Sequence, residues 1–540
     1  MLRLTEIKLD LHHDAAALRN AVLQTLRIND AELLSVHIRR RGNDARKRGV
    51  ISFVYTLDVA VSNEAALLKQ FKDDLNINLT PDEHYQYPQH FSRAPTLRPV
   101  VIGTGPCGLF AALSLARMGL KPLVLERGKA VKPRTKDVWS FWRKQQFDVT
   151  SNVQFGEGGA GTFSDGKLYT GIKDRNHRMR HILHDLVRCG APEEILYISK
   201  PHIGTLRLVK VVENLRNQII AAGGDIRFET HVSDFVIEQG AIKAVILADG
   251  EQIMTEHVIL AVGHSARDTF EKLHERGVAI EQKPFSIGFR IEHPQAIIDA
   301  DRLGTYAGNK LLGAADYKLV HHCSNGRSVY SFCMCPGGQV VAANSESGQV
   351  VTNGMSHYSR NERNANAGIV VEISPADFGS EHPLAGMALQ RRLEAQAFLL
   401  GGSNYYAPAQ LVGDFLNHRA STALGSVIPS YTPGVTLTDV SLLLPEYAIN
   451  AIREALPVFD QTIKGFAMHD AVLTGVETRT SAPIRISRDH HGFQSINTQG
   501  LYPAGEGAGY AGGIISAAVD GMRVAEALAQ SIASGSIANA

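Results

Sequence analysis

Residues 100–126 restrict the fold of this chain more than any other stretch. A short apolar run, Val100-Val-Ile102, leads into Gly103-Thr-Gly105-Pro106-Cys-Gly108, then an apolar helix-like run, Leu109–Met118, and a second apolar run, Pro122–Leu125, that ends at Glu126. Strand, glycine turn, helix and strand in that order make the opening βαβ unit of a parallel nucleotide-binding sheet. Gly103 permits the tight turn, Gly105 lets backbone approach a pyrophosphate at the helix N-terminus, and Gly108 allows helix and sheet to pack closely. Glu126 can accept hydrogen bonds from an adenosine ribose, and its charge disfavours a 2′-phosphate. Pro106 and Arg127, beside these residues, are counted with the same site. The motif does not separate FAD from NAD, because both carry the adenosine diphosphate half.

The C-terminal segment decides for FAD. Leu501-Tyr-Pro-Ala-Gly505-Glu506 is followed by a glycine-opened helix at Gly512-Gly513-Ile514. This resembles flavoproteins of the glutathione reductase-like class, in which a Gly-Asp pair holds the ribityl chain and a helix N-terminus faces the flavin N1–O2 edge. Glu506 stands in place of the Asp, and the helix would stabilise negative charge on reduced flavin. Val258–Gly263, with Ala261 and Gly263, resembles the strand end of two-dinucleotide-fold flavoproteins. A third glycine-rich run, Phe155–Leu168, reads as a cofactor-facing loop, with Gly158, Gly159 and Thr162 against the cofactor and Asp165 and Lys167 available to cofactor or substrate. The expected cofactor is non-covalent FAD. There is no second GxGxxG fingerprint, so NAD(P)H is expected only as a transient electron donor.

At 540 residues the chain is too long for one core. Its expected architecture is α/β: a Rossmann-type, glutathione reductase-like FAD-binding domain with an inserted α+β substrate domain and a small N-terminal α/β domain. The expected boundaries are 1–78 for the N-terminal domain, 79–98 for a proline-rich linker, 99–282 for the first part of the FAD domain, 283–484 for the insert and 485–540 for the C-terminal part of the FAD domain. A hairpin turn at Asp249-Gly250 is expected between Ala241–Leu247 and His257–Val262, and the small-residue tail from Ser531 is expected to fray. A formal net charge of +1 gives no global field for nucleic acid or membrane. No stretch approaches the ~20 apolar residues of a membrane helix, and the N-terminus lacks the pattern of a signal peptide. Five scattered cysteines make no disulfide framework. Together these predict a cytoplasmic chain that acts on a small molecule. One basic patch stands out, Arg39-Arg-Arg41 with Arg46-Lys-Arg48 across a hairpin turn. It suits a solvated or domain-docking hairpin, with RNA binding as the alternative.

The segments FGEGGAGTFSDGKL, FCMCPGGQVVAANSESGQVVTNGMS, GVETRTSAPIRI and LYPAGEGAGYAGGIISAAVDG together resemble a bacterial family of FAD-dependent, or NAD(FAD)-utilising, dehydrogenases, distantly similar to BaiN-like flavoproteins. The resemblance covers nearly the whole chain. It implies an FAD domain with an inserted substrate domain and cofactor positions at Gly103, Gly105, Gly108, Glu126 and Gly505 to Gly513. It implies no substrate.

Candidates for catalysis are Cys333, Cys335 and Arg479. A thiolate near a flavin could take part in redox chemistry, against which stands the reading that cysteines so close in a strand point to opposite faces and are merely buried. Arg479 could orient a substrate carboxylate, or pair with Glu477 or a backbone carbonyl. No metal is expected, since Cys333 and Cys335 lack a second pair and His321 and His322 lack a third ligand. The function expected is a FAD-dependent oxidoreductase exchanging hydride between flavin and a small molecule. The alternatives are a flavin-dependent RNA-modifying protein that uses the basic N-terminal domain, and a non-catalytic FAD-binding scaffold.

Overall fold

Five short strands form a parallel sheet in the spatial order Asp225–Arg227, Leu123–Leu125, Val100–Ile102, Val258–Leu260, Leu501–Pro503 in the computed structural model, which describes residues 1–46 and 49–538. Numbered along the chain, that order is 3-2-1-4-5, the doubly wound arrangement. Alternation divides the strand residues between two cores. Val101, Val124, Ile259 and Tyr502 face the helices Pro106–Arg117 and Ile514–Ala538. Val100, Ile102, Leu123, Leu125, Val258 and Leu260 face a three-stranded antiparallel meander. Burial on both sides explains why these strands read as unbroken apolar runs. Strand order reverses between Val100–Ile102 and Val258–Leu260, which opens a crevice at their carboxyl ends.

The turn at Asp249-Gly250 joins Ala241–Leu247 to Gln252–Met254, with Ile246 opposite Gln252. The expected partner, around His257–Val262, instead forms the inner parallel strand Val258–Leu260. The apolar strand lies too deep for a hairpin edge, so the polar Gln252–Met254 takes that place.

Between the fourth and fifth parallel strands the chain leaves through a neck of two short antiparallel strands, Ile280–Gln282 and Ile484–Ile486. Beyond it lies an eight-stranded sheet centred on Phe285–Pro294, Ser328–Ala342, Asn364–Ile373 and Val472–Glu477. The helices Ala385–Leu400 and Glu446–Thr462 cover it, and a separate apolar core fills this unit.

The N-terminal unit is a β-α-β-β-α-β arrangement whose sheet is antiparallel, ordered Leu33–Asp44, Ser52–Val61, Leu2–Asp10, Ile77–Leu79. The proline-rich segment after it is docked rather than free: Tyr85 is buried in the FAD-domain core and donates to Glu526, and the Phe91 N–H donates to the Met118 carbonyl. The basic hairpin is engaged as well. Arg39 pairs with Glu83, Arg46 pairs with Asp44, and Arg41 lies over the Phe53 and Tyr197 rings. Lys47 and Arg48 lie outside the described residues. The tail from Ser531 continues the last helix to Ala538, and Asn539 and Ala540 lie outside the described residues. Among the described residues no helix is long and apolar enough to cross a membrane.

Candidate active site

The crevice opens into a cavity of about 450 Å³, within the usual range for a cofactor site. Its floor is the glycine turn after Val100–Ile102. Gly103 has φ +100°, and a Cβ there would lie 2.4 Å from the Ala261 carbonyl oxygen; a Cβ on Gly108 would lie 1.9 Å from the Gly103 oxygen. The turn and the first helical turn are therefore closed onto each other, with the helix N-terminus, opened by Pro106, facing the cavity. Gly105 lies on the open side, where the nearest atom to a Cβ would be 3.9 Å away.

The loop 155–168 crosses this turn. A Cβ on Gly159 would lie 2.9 Å from the Gly105 Cα, so two glycine-rich backbones run in contact. Glu126 ties them together. One carboxylate oxygen accepts from the Thr104 N–H and hydroxyl at 2.9 and 2.6 Å, and the other from the Gly128 and Gly156 N–H groups at 2.9 and 3.0 Å. Glu126 lines the cavity, yet the ribose hydroxyls expected as its donors are anticipated by the chain's own N–H and O–H groups, which fill its acceptor sites.

The far end is built by both domains. Glu506, the N-terminus of the last helix at Gly512 to Ile514, Lys167, Cys333, Ala261 and Gly263 all line the cavity. Burial pushes the Glu506 carboxyl up to about 7, against the Gly513 N–H and Lys283, which favour the charged form. His264, a wall residue missed in the sequence, is driven down to about 3 by burial and by Arg479 and Arg267, so it stands neutral. Only the fold, which brings a lone histidine after Gly263 between two arginines, could have revealed it.

Gly108, Gly158, Thr162, Gly505 and Cys335, all expected at the site, stand behind the wall. Gly158 faces the Thr162 hydroxyl, whose hydrogen bond runs to the Glu157 carbonyl, and Gly505 packs on Cys107 while its N–H donates to Asp520. Asp165 and Arg127 line the cavity as expected, and each is also held by an ion inside the fold. Asp165 accepts from Arg360 Nε at 3.0 Å and lies 3.2 Å from Lys167. Arg127 is held by Asp268 at 3.0 Å, 4.4 Å above the Phe155 ring.

Arg479 lines the cavity but is not available as a substrate clamp. It donates to both oxygens of Glu394 at 3.0 and 2.7 Å and to the Ser265 and Ser345 hydroxyls. Its partner is thus neither Glu477 nor a carbonyl; Glu477 is taken by Arg290. The expectation that Cys333 and Cys335 face opposite ways also fails, since residues two apart in a strand share a face. The strand Ser328–Ala342 carries register breaks on both sides of Cys335, and Cys333 has φ +41°; Cys333 reaches the cavity while Cys335 is fully buried beside it.

The argument against a metal also changes. The fold gives His321 two further donors, Cys323 and Glu454, with ligand atoms within 4.8 Å of one another. They already satisfy one another and the chain: His321 lies 3.0 Å from Glu454, which also caps Ser324, and burial holds the Cys323 thiol up at about 11.

The residues fit FAD. A helix N-terminus with an open Cα side at Gly105 suits a pyrophosphate, and a second helix N-terminus at Gly513 suits the electron-rich edge of a flavin. When bound, FAD supplies hydride and electron transfer, while this chain supplies the two helix ends, the closed loops and a neutral His264. A doubly wound domain completed by its C-terminal segment, with an inserted domain contributing to the same cavity, defines a FAD-binding flavoprotein.

Comparison with known proteins agrees. A family model described as FAD-dependent protein, C-terminal domain-like, matches residues 284–480, and a domain of unknown function matches residues 1–60. A protein of Clostridium beijerinckii, described as an uncharacterized protein, is 46% identical over 526 residues, covering 97% of this chain and 98% of that one. The chain belongs to the same family as that protein. Among solved structures, the glycerol-3-phosphate dehydrogenase of Bacillus halodurans with FAD is 12% identical, covering 81% of this chain and 65% of that one at a TM-score of 0.35. L-proline dehydrogenase of P. horikoshii is 14% identical, covering 81% and 95%, also at 0.35. Likenesses this weak bear on no reaction.

Glu506 gives a direct pH prediction. A group titrating near 7 beside the flavin edge makes the visible spectrum of the bound flavin change over about one pH unit either side of that value. In Glu506→Gln the change disappears, which an absorbance titration of both proteins checks.

Proposed function

We propose that this protein is a FAD-dependent oxidoreductase in which hydride passes between flavin N5 and a small molecule that enters the far end of the cavity. One observation carries the reading: the inserted domain contributes Phe332, Cys333 and Asn353 to the same cavity whose floor is the dinucleotide turn. A scaffold that only stored FAD would need no polar, titratable wall from a second domain. NADH or NADPH serves as a transient donor, in keeping with the likeness to NAD(FAD)-utilising dehydrogenases read from the sequence. Five free cysteines suit the reducing cytoplasm, where we place the chain. Engagement of Arg39, Arg41 and Arg46 within the fold favours docking of the N-terminal domain over RNA binding.

An absorption spectrum followed by anaerobic titration with NADH and with NADPH tests this. The expected result is a flavin band that one of the two bleaches. A yellow protein that neither donor nor any small-molecule reductant can bleach would return the scaffold reading, and a colourless protein that cannot be reconstituted with FAD would overturn the cofactor assignment.

A further inference from the structure

The five cysteines do not share one environment. Cys107, Cys189 and Cys323 are buried, and burial pushes each thiol up, Cys189 to about 12 and Cys323 to about 11. They are neutral packing groups. Cys107 and Cys333 both line the cavity, but Cys107 is buried whereas Cys333 is partly exposed there, with Lys167, Phe332 and Glu506 in the same wall.

Two cations converge on the segment that carries it. Arg290 donates to the Cys333 carbonyl at 2.9 Å, and Lys167 donates to the Met334 carbonyl. Asp165, beside Lys167, is shared with a further arginine, Arg360, whereas Glu477 is paired with Arg290 itself. Cys335 sits in contact with Cys333: its thiol donates to the Cys333 carbonyl oxygen at 3.4 Å. The neighbouring Cys335 thiol, with Lys167 and Arg290, holds the Cys333 thiol well below its ordinary range, whereas Cys333 and burial hold Cys335 well above. An accessible thiolate backed by a buried thiol is the arrangement of a reactive cysteine with its resolving partner.

We propose that Cys333 and Cys335 are a dithiol–disulfide pair that exchanges two electrons with the flavin, Cys333 facing the cofactor and Cys335 completing the disulfide behind it. The inference rests on the FAD-dependent oxidoreductase reading and adds to it a second electron store at the same site. The chemistry balances. Formation of the S–S bond from the Cys333 thiolate and the Cys335 thiol releases two electrons and the one proton carried by Cys335. Oxidised flavin takes up those two electrons and one proton in becoming its reduced anion, so no further reactant is needed. In the reverse direction the disulfide drains reduced flavin and leaves an accessible Cys333 thiolate for a thiol or disulfide substrate in the cavity.

The test is an anaerobic dithionite titration of the air-oxidised flavoprotein, with free thiols counted after denaturation. A pair in the disulfide form predicts uptake of about four electrons per flavin, two for each centre, and a thiol count two below the five cysteines of the chain, restored on reduction. Cys333→Ser and Cys335→Ser each bring uptake to about two electrons. Cys335→Ser strands the Cys333 thiolate beside oxidised flavin and adds a long-wavelength charge-transfer absorption that Cys333→Ser lacks. Uptake of about two electrons by the unaltered protein, with five free thiols in its oxidised form, would overturn the proposal. Both quantities are read on the natural chain, so a variant that loses flavin does not blunt the test. A protein that holds no FAD fails the functional reading first; a flavoprotein with no extra electron pair fails only this one.

Discussion

Glu394→Ala is expected to destabilise the protein by about 3–5 kcal/mol, the usual loss when one partner of a buried ion pair is removed. The Glu394 carboxylate is fully buried and accepts from Arg267 at 2.8 and 3.0 Å, from Arg479 at 2.7 and 3.0 Å and from the Thr478 hydroxyl at 2.7 Å. Arg267 begins a helix of the FAD domain, Glu394 lies on a helix of the insert, and Arg479 is on the returning segment, so one carboxylate joins both domains. Alanine leaves two guanidiniums enclosed with too little negative charge. The fall in the urea midpoint measures this, and flavin loss should accompany it because Arg479 and Ser265 line the cavity. Glu271→Ala is the contrast. Its pair with Arg391 is about one-third exposed on the arginine side, and its loss should change stability by less than about 1 kcal/mol. The paired arginines hold Glu394 well below the ordinary carboxylate range. Its contribution is therefore present above the unfolded value near 4.5 and is lost as pH falls below it.

Gly108→Val should weaken FAD binding at least about a hundredfold, a loss of roughly 2.7 kcal/mol. Even the first added carbon would lie 1.9 Å from the Gly103 carbonyl oxygen, and that atom is backbone that cannot rotate away. The helix must move off the turn, which takes its N-terminal N–H groups out of line with the phosphates. Gly108 touches no part of the cavity, so the effect is entirely positional. Equilibrium dialysis against FAD checks it, and a variant that binds as tightly as the parent would show that the turn is more pliable than the packing implies.

Much of the cofactor end was legible because its determinants are contiguous. Gly103 to Gly108, Glu126 and Gly512 to Ile514 act through local geometry: a turn, a helix N-terminus, a strand end. Even there Glu126 gave a type of contact rather than a partner, since its donors come from residues as far off as Gly156. The hairpin at Asp249-Gly250 was visible as a turn, but the strand it serves was not, because two apolar or mixed runs follow it and only burial in the parallel sheet separates them.

The sequence by itself determined the parallel βαβ opening, the dinucleotide class and the reuse of the C-terminus to complete the site, all consequences of glycine placement and strand–helix alternation over short spans. Tertiary structure alone decided which charges meet. Arg479 found Glu394, 85 residues away, rather than Glu477 two residues away, and Cys333 came to line the same cavity as Lys167. Such pairings follow from how an inserted sheet docks on a separate domain and from breaks in strand register. An alternating pattern of apolar and polar residues says which face is buried, but not what lies across from it.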